Sequence, residues 1–343
     1  MANYTIKHII KRAIQIIAAK FGPHTRMSPS PQLLVLMFHR ILPLTDERIL
    51  FEEPGMIVTP ETFKMNLEAI IEFFEIVKLS EWIENKEKGI PLPAKACAIT
   101  FDDGWADNYE FAYPILHEMN IPATIFLVSD MIGTKSMFWP ERLARTIHSI
   151  TLNQPQQWTN PLLDWIRAAP TDFSYSTKAP SREELSQIIA HAKQFSDKDI
   201  HKRLDEIELE IGLPDLPENP SLLNWKQVKK MTESGLIEAG SHTCHHVRLN
   251  DQISVDIMTK EILKSKVQIE DQISLPVKTF CFPNGDYSPL ALELVKNNYI
   301  GAVTTERGWN TSNCENDRLH RMGIHEDVAT DKTAFLSRIS GWI

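Results

Sequence analysis

The chain has 343 residues, 43% of them hydrophobic and 24% charged, a mixture that sustains a packed core and excludes a disordered or fibrous polymer. Its formal net charge of −9 argues against a nucleic-acid partner. Four cysteines (Cys97, Cys244, Cys281, Cys314) lack the spacing of a disulfide framework, which points to a reducing compartment.

Residues 1–30 form a first segment, basic and amphipathic over 6–17. Its longest unbroken apolar run, Ile16-Ile17-Ala18-Ala19, is too short for a signal-peptide core or a spanning helix. Residues 5–19 suit either an anionic membrane surface or packing against the rest of the chain. Without a secretion signal the expected location is cytoplasmic, membrane-peripheral if the first reading applies.

The apolar run 33–38 reads as a strand that ends at His39-Arg40. Thr59 and Pro60 open a helix as N-cap and first helical residue, with Phe63, Leu67, Ile70, Ile71 and Phe74 on one face. Residues 75–79 follow as a strand. The β-branched run 96–101 is another, stopped by Asp102-Asp103-Gly104. A helix over 106–119 and a strand over 123–128 come next. The pattern then breaks over 133–223, which holds Trp139, Trp158, Trp165, many prolines and two charged helices at 181–194 and 197–211. So long a stretch predicts a small helical subdomain, either a wall for a substrate or a packing element. Asn224 caps a helix over 225–234, and strands follow at 236–240, 278–282 and 300–304, with a helix at 292–297 and a last strand at 319–324. Alternating strands and helices imply βα units and a mostly parallel sheet.

Two short segments carry the chemistry. Thr100-Phe101-Asp102-Asp103-Gly104 places two carboxylates at a strand end, where they repel unless a cation lies between them. An ordinary Asp-rich turn is the bland alternative. Ser241-His242-Thr243-Cys244-His245-His246 follows a second strand and supplies two imidazoles four residues apart. Parallel α/β folds build their sites at such strand ends.

These motifs resemble the polysaccharide deacetylases, the NodB-homology or carbohydrate esterase family 4 group, over most of residues 33–325 outside the insertion. The opening strand with Phe38-His39 resembles the subgroup acting on exopolysaccharide or poly-N-acetylglucosamine. The resemblance implies a distorted (β/α) barrel of about seven strands, formed by residues 31–132 and 224–343, with 133–223 inserted. It implies Asp102 as catalytic base and Asp103, His242 and His246 as ligands of one divalent metal ion. Zinc suits two imidazoles and a carboxylate, and cobalt, nickel, manganese and iron are admitted. The family's Arg-Pro-Pro-Tyr-Gly stands here as Cys281-Phe282-Pro283-Asn284-Gly285, so the Arg that orients the base is missing. The Asn284 backbone amide can still act as an oxyanion donor. Arg321, on the last strand, is expected to replace the missing Arg; a surface ion pair with Glu326 or another carboxylate is the competing reading. A fourth motif is loosely echoed by Glu306-Arg307-Gly308-Trp309. His39 is the first candidate for the acid, ahead of His320 and His325. The expected activity is metal-dependent hydrolysis of N-acetyl groups on an amino sugar of a polysaccharide or glycan precursor. A deformylase on a lipid-linked sugar and a non-catalytic carbohydrate-binding relative are the alternatives.

Overall fold

Seven apolar runs become the staves of a closed barrel in the computed structural model, which describes residues 2–212 and 221–342. They are β1 (Gln32–Phe38), β2 (Lys95–Phe101), β3 (Ala123–Leu127), β4 (Ile237–Ser241), β5 (Thr279–Cys281), β6 (Gly301–Arg307) and β7 (Leu319–Gly323). The order around the ring is β1-β7-β6-β5-β4-β3-β2, and β2 pairs again with β1 to close it. Every pairing in the ring is parallel. The closing seam runs in register from Gln32 opposite Lys95 to Phe38 opposite Phe101. A parallel sheet is buried on both faces, which is why these strands read as continuous apolar runs. Among the described residues four short strands lie outside the ring: Glu75–Ile76 along β2, the antiparallel Asn310–Thr311 along β1, and Arg40–Ile41 with Ile57–Val58, which pair in a separate parallel sheet.

Leu33, Val35, Ala96, Ala98, Phe126, Cys281, Val303 and Leu319 form one buried cluster with Trp82 and Ile83 of the helix Leu79–Glu87. A Cβ on Gly240 would overlap the Phe126 ring, so glycine is needed there. Helices cover the outside. Thr59 caps Pro60–Ile70, and Asn224 caps Trp225–Glu233 through a reciprocal box with Gln227. The helix expected over 106–119 is instead a π turn, Asn108–Ala112, that runs into the α-helix Tyr113–Met119. Pro114 lacks an N–H and crowds the preceding turn, which favours this irregular start. A long helix not anticipated from sequence, Val255–Ile273, follows β4.

The chain divides into two compact units, and the barrel unit is residues 1–43, 57–133 and 222–343. The other unit joins Thr134–Ser221 to Leu44–Met56, a segment that sequence reading left in the barrel. Its core is built from Leu143, Ile147, Trp158, Trp165, Leu185, Ile189 and Leu204, with Phe51 packed against it. Arg145 stacks 4.1 Å from the Phe51 ring centroid, and Arg182 donates to the Glu52 and Glu53 carbonyls. The segment's apolar anchor is a single ring, too slight a pattern to reveal its attachment in sequence. Among the described residues no helix is long and apolar enough to cross a membrane. The N-terminal helix, Ala2–Phe21, packs against the helix Lys332–Ile339.

Candidate active site

His39, Asp102 and His242 each follow a barrel strand directly, at the carboxyl ends of β1, β2 and β4. Asp102 and Asp103 are adjacent in sequence and buried, yet they enter different networks. Asp103 takes a left-handed backbone, φ +75°, which turns its side chain away from that of Asp102. Thr243 (φ +66°) and His246 (φ +59°) are also left-handed. Each such non-glycine residue costs on the order of 1–3 kcal/mol, and such strain gathers at functional sites.

Asp103 Oδ2 accepts a hydrogen bond from Trp105 Nε1 at 2.9 Å. Its Oδ1 lies 3.4 Å from Nε2 of His242 and 3.4 Å from Nε2 of His246, and has no hydrogen-bond partner. Those separations are too long for charge-assisted hydrogen bonds, which run at about 2.7–2.9 Å. They match the span of two ligand bonds of about 2.1 Å opened to a tetrahedral angle, about 3.4 Å. All three donor atoms lie within 4.8 Å of one another. His242 Nδ1 is 2.8 Å from the Cys281 carbonyl, so Nδ1 carries the proton and donates. The Nε2 lone pair is thereby aimed at Asp103, the orientation a ligating imidazole needs. A buried, unsatisfied carboxylate oxygen facing two imidazole nitrogens is a donor set that fits a divalent cation.

The second network surrounds Asp102. Arg321 Nη1 and Nη2 donate to its two oxygens, each at 2.7 Å. The guanidinium is fully buried and also donates to the Thr304 carbonyl at 2.8 Å and to Thr100 Oγ1 at 3.2 Å. Glu326, its competing partner in the sequence reading, instead accepts from the Thr59 amide and the Thr62 hydroxyl. Cys281 stands where the family has Arg. Its Sγ lies 3.1 Å from Arg321 Nη2 and 3.6 Å from Asp102 Oδ2. The small thiol leaves room that the guanidinium fills from β7, two strands further round the ring. Burial pushes the Asp102 carboxyl up. The Arg321 charge and its hydrogen bonds, helped by His39 and His242, outweigh burial and hold it below the ordinary carboxylate value. Burial holds the Cys281 thiol protonated.

His39 Nε2 is 3.8 Å from Asp102 Oδ2, and its ring keeps an edge in solvent. The π turn holds the backbone here. Asn108 Nδ2 donates to the His39 carbonyl at 2.8 Å, and Asp107 accepts from the Ile41 amide and the buried Arg40 side chain. His320 alternates with Arg321 along β7 and therefore faces outward, 3.2 Å from Glu306. His325 pairs with Asp327 at 3.1 Å; burial lowers its pKa, and the nearby Arg338 and His39 lower it further. Asn284 occupies an exposed left-handed turn after β5 (φ +55°), its carbonyl accepting from Thr305. Among the described residues its side chain makes no hydrogen bond to Asp102 or Asp103. Trp309 donates to the Ile339 carbonyl and packs on Phe74.

Sequence reading missed the residue that shapes the histidine loop. Glu261, buried on the helix Val255–Ile273, accepts from the amides of Cys244 and His245 with Oε2, both at 2.9 Å. Its Oε1 meets His245 Nδ1 at 2.8 Å. One carboxylate thus pins the two residues between the left-handed Thr243 and His246.

Comparison with known proteins identifies the family. The polysaccharide deacetylase family profile matches residues 89–167 and 185–303, more than half of the chain. The poly-beta-1,6-N-acetyl-D-glucosamine N-deacetylase of Staphylococcus epidermidis is 27% identical over 218 residues, 59% of this chain and 70% of that protein. Bacillus subtilis YxkH, named for polysaccharide deacetylation, is 36% identical over 86 residues, which span 21% of this chain and 31% of YxkH. Among solved structures, the Streptococcus pyogenes deacetylase PplD superposes with a TM-score of 0.58 at 20% identity, covering 90% of this chain and 99% of that one. IcaB from Ammonifex degensii gives 0.56 at 16% identity, with 90% and 97% covered. The two structures share the fold. The profile match spans Asp102, Asp103, His242 and His246, and the chain belongs to the polysaccharide deacetylase family.

Proposed function

We propose that the protein hydrolyses N-acetyl groups from amino-sugar units of a polysaccharide, using one divalent cation, zinc by preference, held by Asp103, His242 and His246. The observation that carries this reading is the division of labour between adjacent carboxylates. Asp103 faces two imidazoles, and Asp102 is gripped by a buried guanidinium. The name of the Staphylococcus epidermidis relative supports an N-acetylated glucosamine polymer as substrate class.

A cation bound by the three ligands supplies Lewis-acid polarisation of a carbonyl and acidifies water. The remaining chemistry belongs to the chain. Asp102 is ionised at neutral pH because Arg321 favours its charged form, so it can take a proton from water attacking the acetamide carbon. Both its oxygens are fixed in plane by the guanidinium fork, which sets the direction of that proton transfer. The Asn284 backbone amide is proposed to donate to the developing oxyanion. His39, beside Asp102 and reaching solvent, is proposed to hand a proton to the departing nitrogen as the carbon–nitrogen bond breaks. The products are acetate and a free amino sugar.

The test incubates metal-free and zinc-reconstituted protein with β-1,6-linked N-acetylglucosamine oligomers and measures acetate and free amine. Equal release of both from the reconstituted protein alone is expected. No acetate from N-acetylated oligomers, with formate released from an N-formyl amino sugar, would overturn the assignment.

A further inference from the structure

We propose that the outward face of the N-terminal helix is a docking surface for an anionic lipid bilayer. This proposal stands apart from the catalytic reading, because it uses none of the same residues. The helix touches its own domain along its small residues. Ala18 and Ala19 are buried, and Arg12 pairs with Asp331 at 3.0 Å. The large side chains point the other way. Ile9, Ile10, Ile14, Ile16, Ile17 and Phe21 are between 41% and 63% exposed. At 3.6 residues per turn these six fall on one arc, opposite the alanines. A helix stabilised only by its own domain would bury that arc and expose the alanines. Here the amphipathicity is inverted, and burial of the isoleucines requires something beyond the described chain.

Charge says what covers them. The sequence of the helix Ala2–Phe21 holds Lys7, Lys11, Arg12 and Lys20 and no Asp or Glu, in a chain whose net charge is −9. Lys11 and Arg12 flank the apolar arc on its two sides, and Lys20 lies near its middle. An apolar face with cations beside it and a long lysine able to reach outward from it is the arrangement of a helix lying in a bilayer interface, chains in the acyl boundary and ammonium groups among anionic headgroups. Trp342, 47% exposed and 5.6 Å beneath the Arg26 guanidinium, adds an aromatic ring and a cation at the helix's C-terminal end.

The experiment is co-sedimentation of the full chain with vesicles of phosphatidylcholine alone or mixed with phosphatidylserine. Binding to the mixed vesicles is expected, weakening as salt rises, with little binding to neutral ones. The triple substitution Ile10→Glu, Ile14→Glu and Ile17→Glu should abolish it while leaving hydrolysis of a soluble oligomer unchanged. These side chains are exposed, so folding should survive, and a thermal melt checks it. Should that variant misfold, Lys11→Gln with Lys20→Gln removes two cations and should weaken binding about 30-fold, at about 1 kcal/mol per cation. Failure of the wild type to bind mixed vesicles, or equal binding by a folded triple variant, would overturn the proposal. So would a dimer in sedimentation velocity that the triple substitution dissolves in the absence of lipid binding.

Discussion

Replacing Arg321 with Lys keeps a cation beside Asp102 and removes only its shape. The guanidinium donates twice to Asp102 at 2.7 Å and once to the Thr304 carbonyl at 2.8 Å, with Thr100 Oγ1 at 3.2 Å as a weaker partner. A lysine ammonium presents all its protons from one point. It can follow Asp102 but cannot also reach the Thr304 carbonyl on β6. One charge-assisted bond is lost, worth about 1.5–3 kcal/mol, and a buried carbonyl is orphaned at about 1–3 kcal/mol. The sum, about 2.5–6 kcal/mol, is a large share of a typical domain's stability of about 5–15 kcal/mol and smaller than most of that range. With its plane no longer fixed, the carboxylate misaims by a fraction of an ångström to an ångström. The turnover number should fall about 10–100-fold. Urea unfolding, steady-state release of acetate and elemental analysis read the three quantities. Metal content should not change, because Arg321 touches none of the three proposed ligands. A variant with wild-type turnover and an unshifted unfolding midpoint would refute the claim that the fork orients the base.

Asp102→Asn should retain stoichiometric metal while turnover falls about 10²–10⁴-fold, the usual loss for a general base; metal loss in this variant would exchange the roles of the two aspartates. His242→Ala should lose tight metal binding by elemental analysis and isothermal titration. Glu261→Gln keeps an oxygen for the two amides but removes the negative charge and the acceptor facing His245 Nδ1, so the histidine loop loosens; zinc affinity should drop about 10–100-fold with Asp102-dependent chemistry at saturating zinc little changed. Arg321→Met removes the main influence opposing burial at Asp102 and leaves only His39 and His242 against it, so its pKa rises. Because a lowered pKa keeps the base active as pH falls, the acid limb of the kcat/KM profile should move to higher pH at saturating zinc, and an unmoved limb would dissociate Arg321 from Asp102.

Local rules carried the reading of the barrel far. Strand runs bounded by Asp-Asp-Gly and Ser-His are self-announcing, because a parallel strand buried on both faces is apolar throughout and its polar successors must lie at the rim. Arg321 was also legible, since strand alternation forces it and His320 to opposite faces, and only one can be inside. Glu261 was not. It is one of several acidic residues on an amphipathic helix, and only the packing of that helix against the loop after β4 gives its carboxylate two amides to hold. Leu44–Met56 was missed for a similar reason. Its membership of the second unit rests on Phe51 and on main-chain carbonyls held by Arg182, and carbonyls carry no sequence signature. The π turn is traceable in hindsight to Pro114, whose effect on a helix depends on whether the preceding residues can bulge.

The left-handed peptide at Asp103 has a consequence for how such a protein can change. Two side chains one residue apart answer to separate masters: one to Trp105 and the histidine loop after β4, the other to β5, β6 and β7. The two sets meet at the peptide bond between the aspartates and again at Cys281, whose carbonyl accepts from His242 Nδ1 at 2.8 Å while its thiol lies 3.1 Å from Arg321. Substitutions in one should therefore couple to substitutions in the other through Cys281, by the rule that residues of one hydrogen-bond network do not add. A lineage that lost Asp102 would keep Asp103, His242 and His246, the proposed cation ligands, in place. On the proposed reading, such a descendant would keep the metal ligands and lose the general base.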